Sequence, residues 1–176
     1  MVKIVSKFYS LLALAFIANV AYAQDSTFLP EAKLAESTVK GWNVGAGFTQ
    51  KLIHLNTEWV NPYGIAYAKA GVFLNGDKTF GGQVGFRYPV HFTGKEKNGY
   101  YLGAYAGHIE SKDIGNEFES RLGGGVDLSY VMLSSERIST LSVGIGAGEK
   151  MTDKNGNTVA ETEPTLQFSY TLSIGL

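Results

Sequence analysis

The chain has 176 residues, of which 44% are hydrophobic, 12% aromatic and 18% charged, and its formal net charge is −1. It is too apolar for a disordered chain and lacks the basic excess of a nucleic-acid-binding surface. The absence of cysteine excludes disulfides, thiolate catalysis, cysteine zinc sites and a lipidated cysteine, and twenty-two glycines favour strands over helices.

Lys3 and Lys7 precede a short apolar run over 11–18, and Ala21-Tyr22-Ala23 supplies the small-x-small pattern of a signal-peptidase site. The run is well short of the roughly 20 residues of a spanning helix, so 1–23 is read as a cleaved signal peptide. Residues 24–40 form a short N-terminal periplasmic segment, in which 30–36 suits a short helix with Pro30 in its first turn. No later stretch resembles a transmembrane helix, so a membrane location would require a closed barrel.

From residue 41 onward the dominant signal is alternation. In 41–50, Trp42, Val44, Ala46 and Phe48 oppose Asn43, Gly45, Gly47 and Thr49. A second strand over 54–60 follows a joint at 51–53 that has no turn residue; the even strand number of single-chain bacterial barrels supports the split. In 63–74, Lys69 sets the phase, turning Tyr67 and Lys69 inward and Ala66, Ala68, Ala70, Val72 and Leu74 outward. In 79–90, Phe80, Val84, Phe86 and Tyr88 oppose Gln83 and Arg87. In 99–109, Tyr101 and Tyr105 are assigned inward by analogy. In 117–131, Phe118, Leu122, Val126, Leu128 and Tyr130 oppose Glu119, Arg121, Asp127 and Ser129. Leu141, Val143 and Ile145 alternate with small residues in 137–148. The last strand, 165–176, keeps Leu166, Phe168, Tyr170, Leu172, Ile174 and Leu176 on one face without interruption. Asn61-Pro62 and Asn75-Gly76-Asp77 are turn signals; 92–98, 110–116 and 133–136 connect other strands, and 149–164 reads as a long, polar, flexible loop.

Eight strands predict an all-β fold, an eight-stranded antiparallel up-and-down transmembrane β-barrel over 41–176. At that size side chains fill the lumen, so no pore is expected. The inward phase carries a polar network of Glu58, Lys69, Gln83, Arg87, Glu119, Arg121 and Asp127, in which acids and cations balance. A soluble barrel would lose its core to such charges, whereas a membrane barrel turns its apolar area to lipid. Trp42, Trp59, Tyr63, Tyr88, Tyr100 and Tyr130 lie toward strand ends, as in an aromatic girdle.

Chemistry-bearing motifs are sparse. His54, His91 and His108 have no metal-ligand spacing, and Gly123-Gly124-Gly125 opens no helix and is no phosphate loop. No cofactor or metal is expected. His108, Glu110 and Ser111 contain the ingredients of an acyl-transfer triad and are the weak catalytic candidates; a structural role outweighs that reading.

The leader, the eight alternating segments and the C-terminal strand with Phe168 and Tyr170 resemble the small outer-membrane barrels of Gram-negative bacteria, the opacity-protein and OmpA-type class. The resemblance implies location in the cell outer membrane and a monomer surrounded by outer-membrane lipids. It also implies delivery by the barrel-assembly machinery, which would read Phe168, Tyr170, Leu172, Ile174 and Leu176, although the class usually ends in phenylalanine and this chain ends in Leu176. The expected role is structural or surface interaction, with 149–164 facing an extracellular partner. A lipid-modifying enzyme and a secreted soluble barrel binding a small apolar ligand are the alternatives.

Overall fold

The computed structural model describes residues 30–75, 79–94, 96–115, 117–153 and 155–176. The leader read over 1–23, and the centre of the Asn75-Gly76-Asp77 turn, lie outside the described residues. Ten strands follow in chain order: β1 (Trp42–Thr49), β2 (Leu52–Asn61), β3 (Gly64–Phe73), β4 (Phe80–Phe92), β5 (Gly99–Asp113), β6 (Phe118–Ser134), β7 (Arg137–Gly148), β8 (Met151–Thr152), β9 (Thr158–Ala160) and β10 (Pro164–Gly175). β1 to β7 and β10 form one closed barrel in which sequence neighbours pair antiparallel and β10 returns to β1. All eight barrel strands are thus up-and-down, and no helix occurs among the described residues.

Several boundaries differ from the sequence expectation. β2 starts at Leu52 because Thr49 makes the preceding turn: its Oγ1 accepts hydrogen bonds from the backbone N–H of Lys51 at 3.1 Å and of Leu52 at 2.9 Å. A hydroxyl capping its own turn replaces the glycine or asparagine that the segment lacks. β5 and β6 run to Asp113 and Ser134, beyond 109 and 131, and a bulge between His108 and Glu110 resets their register. The 149–164 segment is not merely a flexible loop, since β8 and β9 form a hairpin that buries Met151 and Ala160. Over 30–36 there is a turn instead of a helix: Ala35 N–H bonds the Ala32 carbonyl and Ser37 N–H bonds that of Leu34, both three residues back.

That turn strap crosses one end of the barrel. Leu34 N–H donates to the Pro62 carbonyl at 2.9 Å, and Lys33 Nζ to the Pro89 carbonyl at 3.2 Å. Leu34 itself is buried against Val60, Ile65, Tyr101, Val131, Leu133 and Ile138. These side chains point inward where β2, β4 and β6 end, so an apolar layer closes the barrel at its short-turn end. At the other end Leu52 and Phe73, both 1% exposed, form a second apolar layer. Polar groups occupy the middle.

The seam between β1 and β10 is uneven. Residues 169–175 of β10 pair with β1, whereas 164–168 extend past its end. Gln50 fills part of this gap. Its Nε2 donates to the Leu166 carbonyl at 2.6 Å and its Oε1 accepts from the Phe168 N–H at 2.8 Å, so the amide stands in for one peptide unit of β1.

Candidate functional surfaces: an apolar wall around a polar interior

Strand alternation sends opposite chemistry to the two sides of the wall. Outward, twenty-seven large hydrophobic side chains are 37–71% exposed among the described residues, and they come from every strand of the barrel. Among the described residues nineteen polar or charged side chains are buried against fourteen hydrophobic ones, and most of the polar ones lie on the inward phase. This is the reverse of a water-soluble globule, whose largest exposed apolar patch rarely exceeds roughly 600 Å².

The wall's aromatics are sorted by type. At the short-turn end, Trp42 and Trp59 stack with centroids 6.1 Å apart, and Tyr100 meets Tyr130 edge-on at 5.2 Å. Tyr63 lies on the same rim and His91 stacks on Tyr100 at 6.5 Å. At the opposite rim the exposed aromatics are Phe48, Phe80 and Phe168. Tryptophan and tyrosine favour a boundary where one side of the ring is apolar and the other wet. In the C-terminal strand Phe168, Leu172, Ile174 and Leu176 are 41–69% exposed and Tyr170 is half-buried.

Inside, Arg87 is the centre. Its side chain is 1% exposed; Nη1 lies 3.3 Å from Glu58 Oε1 and Nε 3.8 Å from Asp127 Oδ1. The guanidinium sits 4.1 Å from the centroid of Tyr67, whose ring also receives Lys69 Nζ at 4.9 Å. Hydroxyls complete the acids: Ser173 donates to Glu58 Oε2, Ser129 donates to Asp127 Oδ1, and Ser129 also meets Ser142 at 2.8 Å. Gln83 Nε2 donates to the His108 carbonyl at 3.0 Å. Glu58, Lys69, Gln83, Arg87, Arg121 and Asp127 are therefore all buried on the inner side.

Glu119 is the correction, because it is exposed. It keeps the phase of Arg121, but there β5 and β6 pair only with each other and project past β4 and β7, so no barrel surrounds it. Asn43, His54, Asn56 and Thr171 are buried in the interior as well. Their position was readable from the same alternation.

The glycine richness has its explanation on this inner wall. A Cβ on Gly85 would lie 2.5 Å from Tyr67 Cζ, one on Gly146 2.5 Å from the Tyr105 hydroxyl, and one on Gly103 2.8 Å from Asp127 Oδ1. Each large inward group lies over a residue without a side chain, and the lumen is packed by that pairing.

At the long-loop rim the bulge turns Glu110 inward beneath Arg121. Glu110 Oε1 lies 2.5 Å from Arg121 Nη1, and Oε2 lies 2.6 Å from Lys51 Nζ and 3.7 Å from Lys112 Nζ. Arg121 also holds the β8–β9 hairpin, donating from Nε to the Glu149 carbonyl at 2.6 Å and from Nη2 to the carbonyls of Gly148 and Glu161. The triad ingredients are not assembled. His108 Nδ1 accepts from the Gly82 N–H at 3.1 Å, and Ser111 Oγ bonds Thr79 Oγ1 at 3.2 Å. Glu110 is given over to its cations, so histidine, acid and hydroxyl each have other partners. No cluster of metal-ligating side chains occurs among the described residues. Comparison of the chain with protein families, with curated proteins and with solved structures finds no match.

Proposed function

We propose that this chain is an integral outer-membrane β-barrel of Gram-negative type, with a structural or surface-interaction role and a side-chain-filled, non-conducting lumen. The observation that carries the reading is the inversion of polarity across the wall: an apolar exterior on every strand around the buried Arg87–Glu58–Asp127 layer. In water, such an exterior would drive association, and the buried charges would occupy the space of a hydrophobic core. In a bilayer both are ordinary. Closure supports the reading too, since a closed barrel leaves no strand edge unpaired in lipid. Barrel strands of 8–17 residues are compatible with the roughly 9–11 needed to cross the hydrocarbon layer.

The tryptophan–tyrosine rim, the short turns and the Leu34 strap would face the periplasm. The Lys51–Glu110–Arg121 rim and the β8–β9 hairpin would face outward, where the hairpin is the candidate surface for an extracellular partner. Phe168, Tyr170, Leu172, Ile174 and Leu176 would form the strand read by the barrel-assembly machinery. The protein is expected to be monomeric, in contact chiefly with lipid. Membrane fractionation combined with gel migration of unheated and heated samples tests this. Recovery in the outer-membrane fraction with a heat-dependent shift is expected; recovery as a detergent-independent soluble protein would overturn it.

A further inference from the structure

The outer wall has a dent at its short-turn end. Met132 on β6, Ser139 on β7 and Leu172 on β10 are lateral neighbours in the paired register. Met132 and Leu172 are 43% and 41% exposed, while the small Ser139 between them is 8% exposed and donates a 3.1 Å hydrogen bond to the Tyr170 hydroxyl. A serine flanked by two long side chains makes a trough, and a groove of about 390 Å³ runs there. That volume is within the range of roughly 300–1,000 Å³ typical of small-molecule sites.

The groove is amphipathic along its length. Met132, Tyr170 and Leu172 line it toward the middle of the wall, and Arg137 and Glu96 line it at the rim. Arg137 and Glu96 are one fixed cation and one carboxylate, and neither side chain is in an ion pair with a described residue. Arginine is the side chain best matched to phosphate oxygens, and a carboxylate accepts from an ammonium group.

We propose that this groove is a specific phospholipid site for a headgroup carrying both a phosphate and a primary ammonium, with the phosphate on Arg137, the ammonium on Glu96 and an acyl chain over Ser139 between Met132 and Leu172. The inference rests on the membrane reading above and adds a ligand to it. A phosphatidylethanolamine satisfies both charges. A phosphatidylglycerol leaves Glu96 facing an anionic headgroup, and a phosphatidylcholine has no N–H to donate to it.

Native mass spectrometry of the full chain released from nanodiscs tests the site, using phosphatidylethanolamine, phosphatidylglycerol and phosphatidylcholine in turn. One retained phosphatidylethanolamine is expected, in preference to the other two lipids. Ser139→Leu fills the trough and should abolish retention. Arg137→Gln should weaken it roughly ten-fold, as expected for one charge-assisted hydrogen bond. Glu96→Gln should remove the preference over phosphatidylglycerol while leaving a lipid bound. Equal retention of the three lipids by the wild type, or undiminished retention by Ser139→Leu, would overturn the site. Heat-dependent gel migration of each variant separates the two levels. A protein that keeps its shift but shows no lipid preference refutes the groove alone, whereas one that never shows the shift removes the membrane reading and the groove with it.

Discussion

Replacing Arg87 by methionine tests whether charge compensation holds the interior together. The guanidinium is 1% exposed and serves two carboxylates at once, Glu58 at 3.3 Å and Asp127 at 3.8 Å. Methionine retains an unbranched stem over Tyr67 but removes the charge, leaving two buried acids with Lys69 as the remaining cation of that layer. Breaking a buried pair by removing one partner costs roughly 3–5 kcal/mol, most of it the desolvation of the stranded charge. The expected loss is therefore about 3–5 kcal/mol, and Glu58→Gln with Asp127→Asn in the same chain should recover most of it by abolishing the stranded charges. Equilibrium urea unfolding from phospholipid vesicles measures this. The chain's two tryptophans, Trp42 and Trp59, stack on the outer wall and report exit from lipid through their fluorescence. A single variant within about 0.5 kcal/mol of wild type, the range of an uninvolved site, would refute the argument. So would a triple variant no more stable than the single one, because the loss would then be one of packing.

Four further outcomes are expected. Lysine at Val126, mid-strand and outward on β6, should destabilise the vesicle-folded protein by roughly 2–4 kcal/mol, and lysine at the terminal Leu176 by only about 0–1; equal costs would contradict a depth-dependent lipid contact. Gly81→Ala brings a Cβ within 2.7 Å of Phe73 Cε2 and 3.0 Å of Leu52 Cδ1, so it should cost roughly 1–3 kcal/mol by overpacking, and Phe73→Leu in that background should reduce the cost in the same urea titration. Purified protein in planar bilayers should give only baseline current, since the Leu34 layer, the Arg87 layer and the Leu52–Phe73 layer fill the lumen in series; reproducible ion-selective steps would contradict that packing. Asp153 is held below the usual carboxylate range by hydrogen bonds from the Asn157 side chain and backbone, with a further one from the Asn155 N–H. A depressed acid contributes its full stabilisation above its unfolded pKa and loses it as pH falls through the folded value, so the Asn157 amide resonance should titrate with a midpoint below 3.8 and lose that transition in Asp153→Asn; a midpoint at or above 3.8 would refute it.

Two-residue periodicity explains what was legible in the sequence. Over 166–176 each side chain's phase follows from its neighbour, and one lysine, Lys69, was enough to orient β3 and to turn Tyr67 inward with it. The same rule puts Glu58, Arg87 and Asp127 on one side of the wall. Features that break the period left no such trace. Ile109 occupies the bulge, so Glu110, which lies outside the periodic segment in the sequence, is turned inward beneath Arg121. The 49–52 turn depends on a threonine hydroxyl, which has no sequence signature apart from an ordinary strand threonine. Leu34 stands between Lys33 and Ala35 in a segment of mixed polarity, and only the tertiary fold brings it to Tyr101 and Ile138. Glu119 failed for the opposite reason: periodicity continues along a strand after the surrounding wall has ended.

The Gln50 bridge bears on how long the closed barrel lasts. β1, at eight residues, is the shortest barrel strand; its pairs with β10 run from Thr49–Ser169 to Asn43–Gly175, and the Gln50 bonds span 116 and 118 positions of sequence. Every other pair of neighbouring barrel strands is contiguous in the chain or, for β7 and β10, separated only by the β8–β9 hairpin. Loop-closure entropy therefore ranks the β1–β10 seam as the last to zip and the first to part. Contacts made after the rate-limiting step leave the folding rate unchanged and slow unfolding instead. By extending the shortest strand with a side-chain amide, Gln50 adds two hydrogen bonds at the point where rupture would begin, and so acts on the lifetime of the barrel rather than on the speed of its assembly.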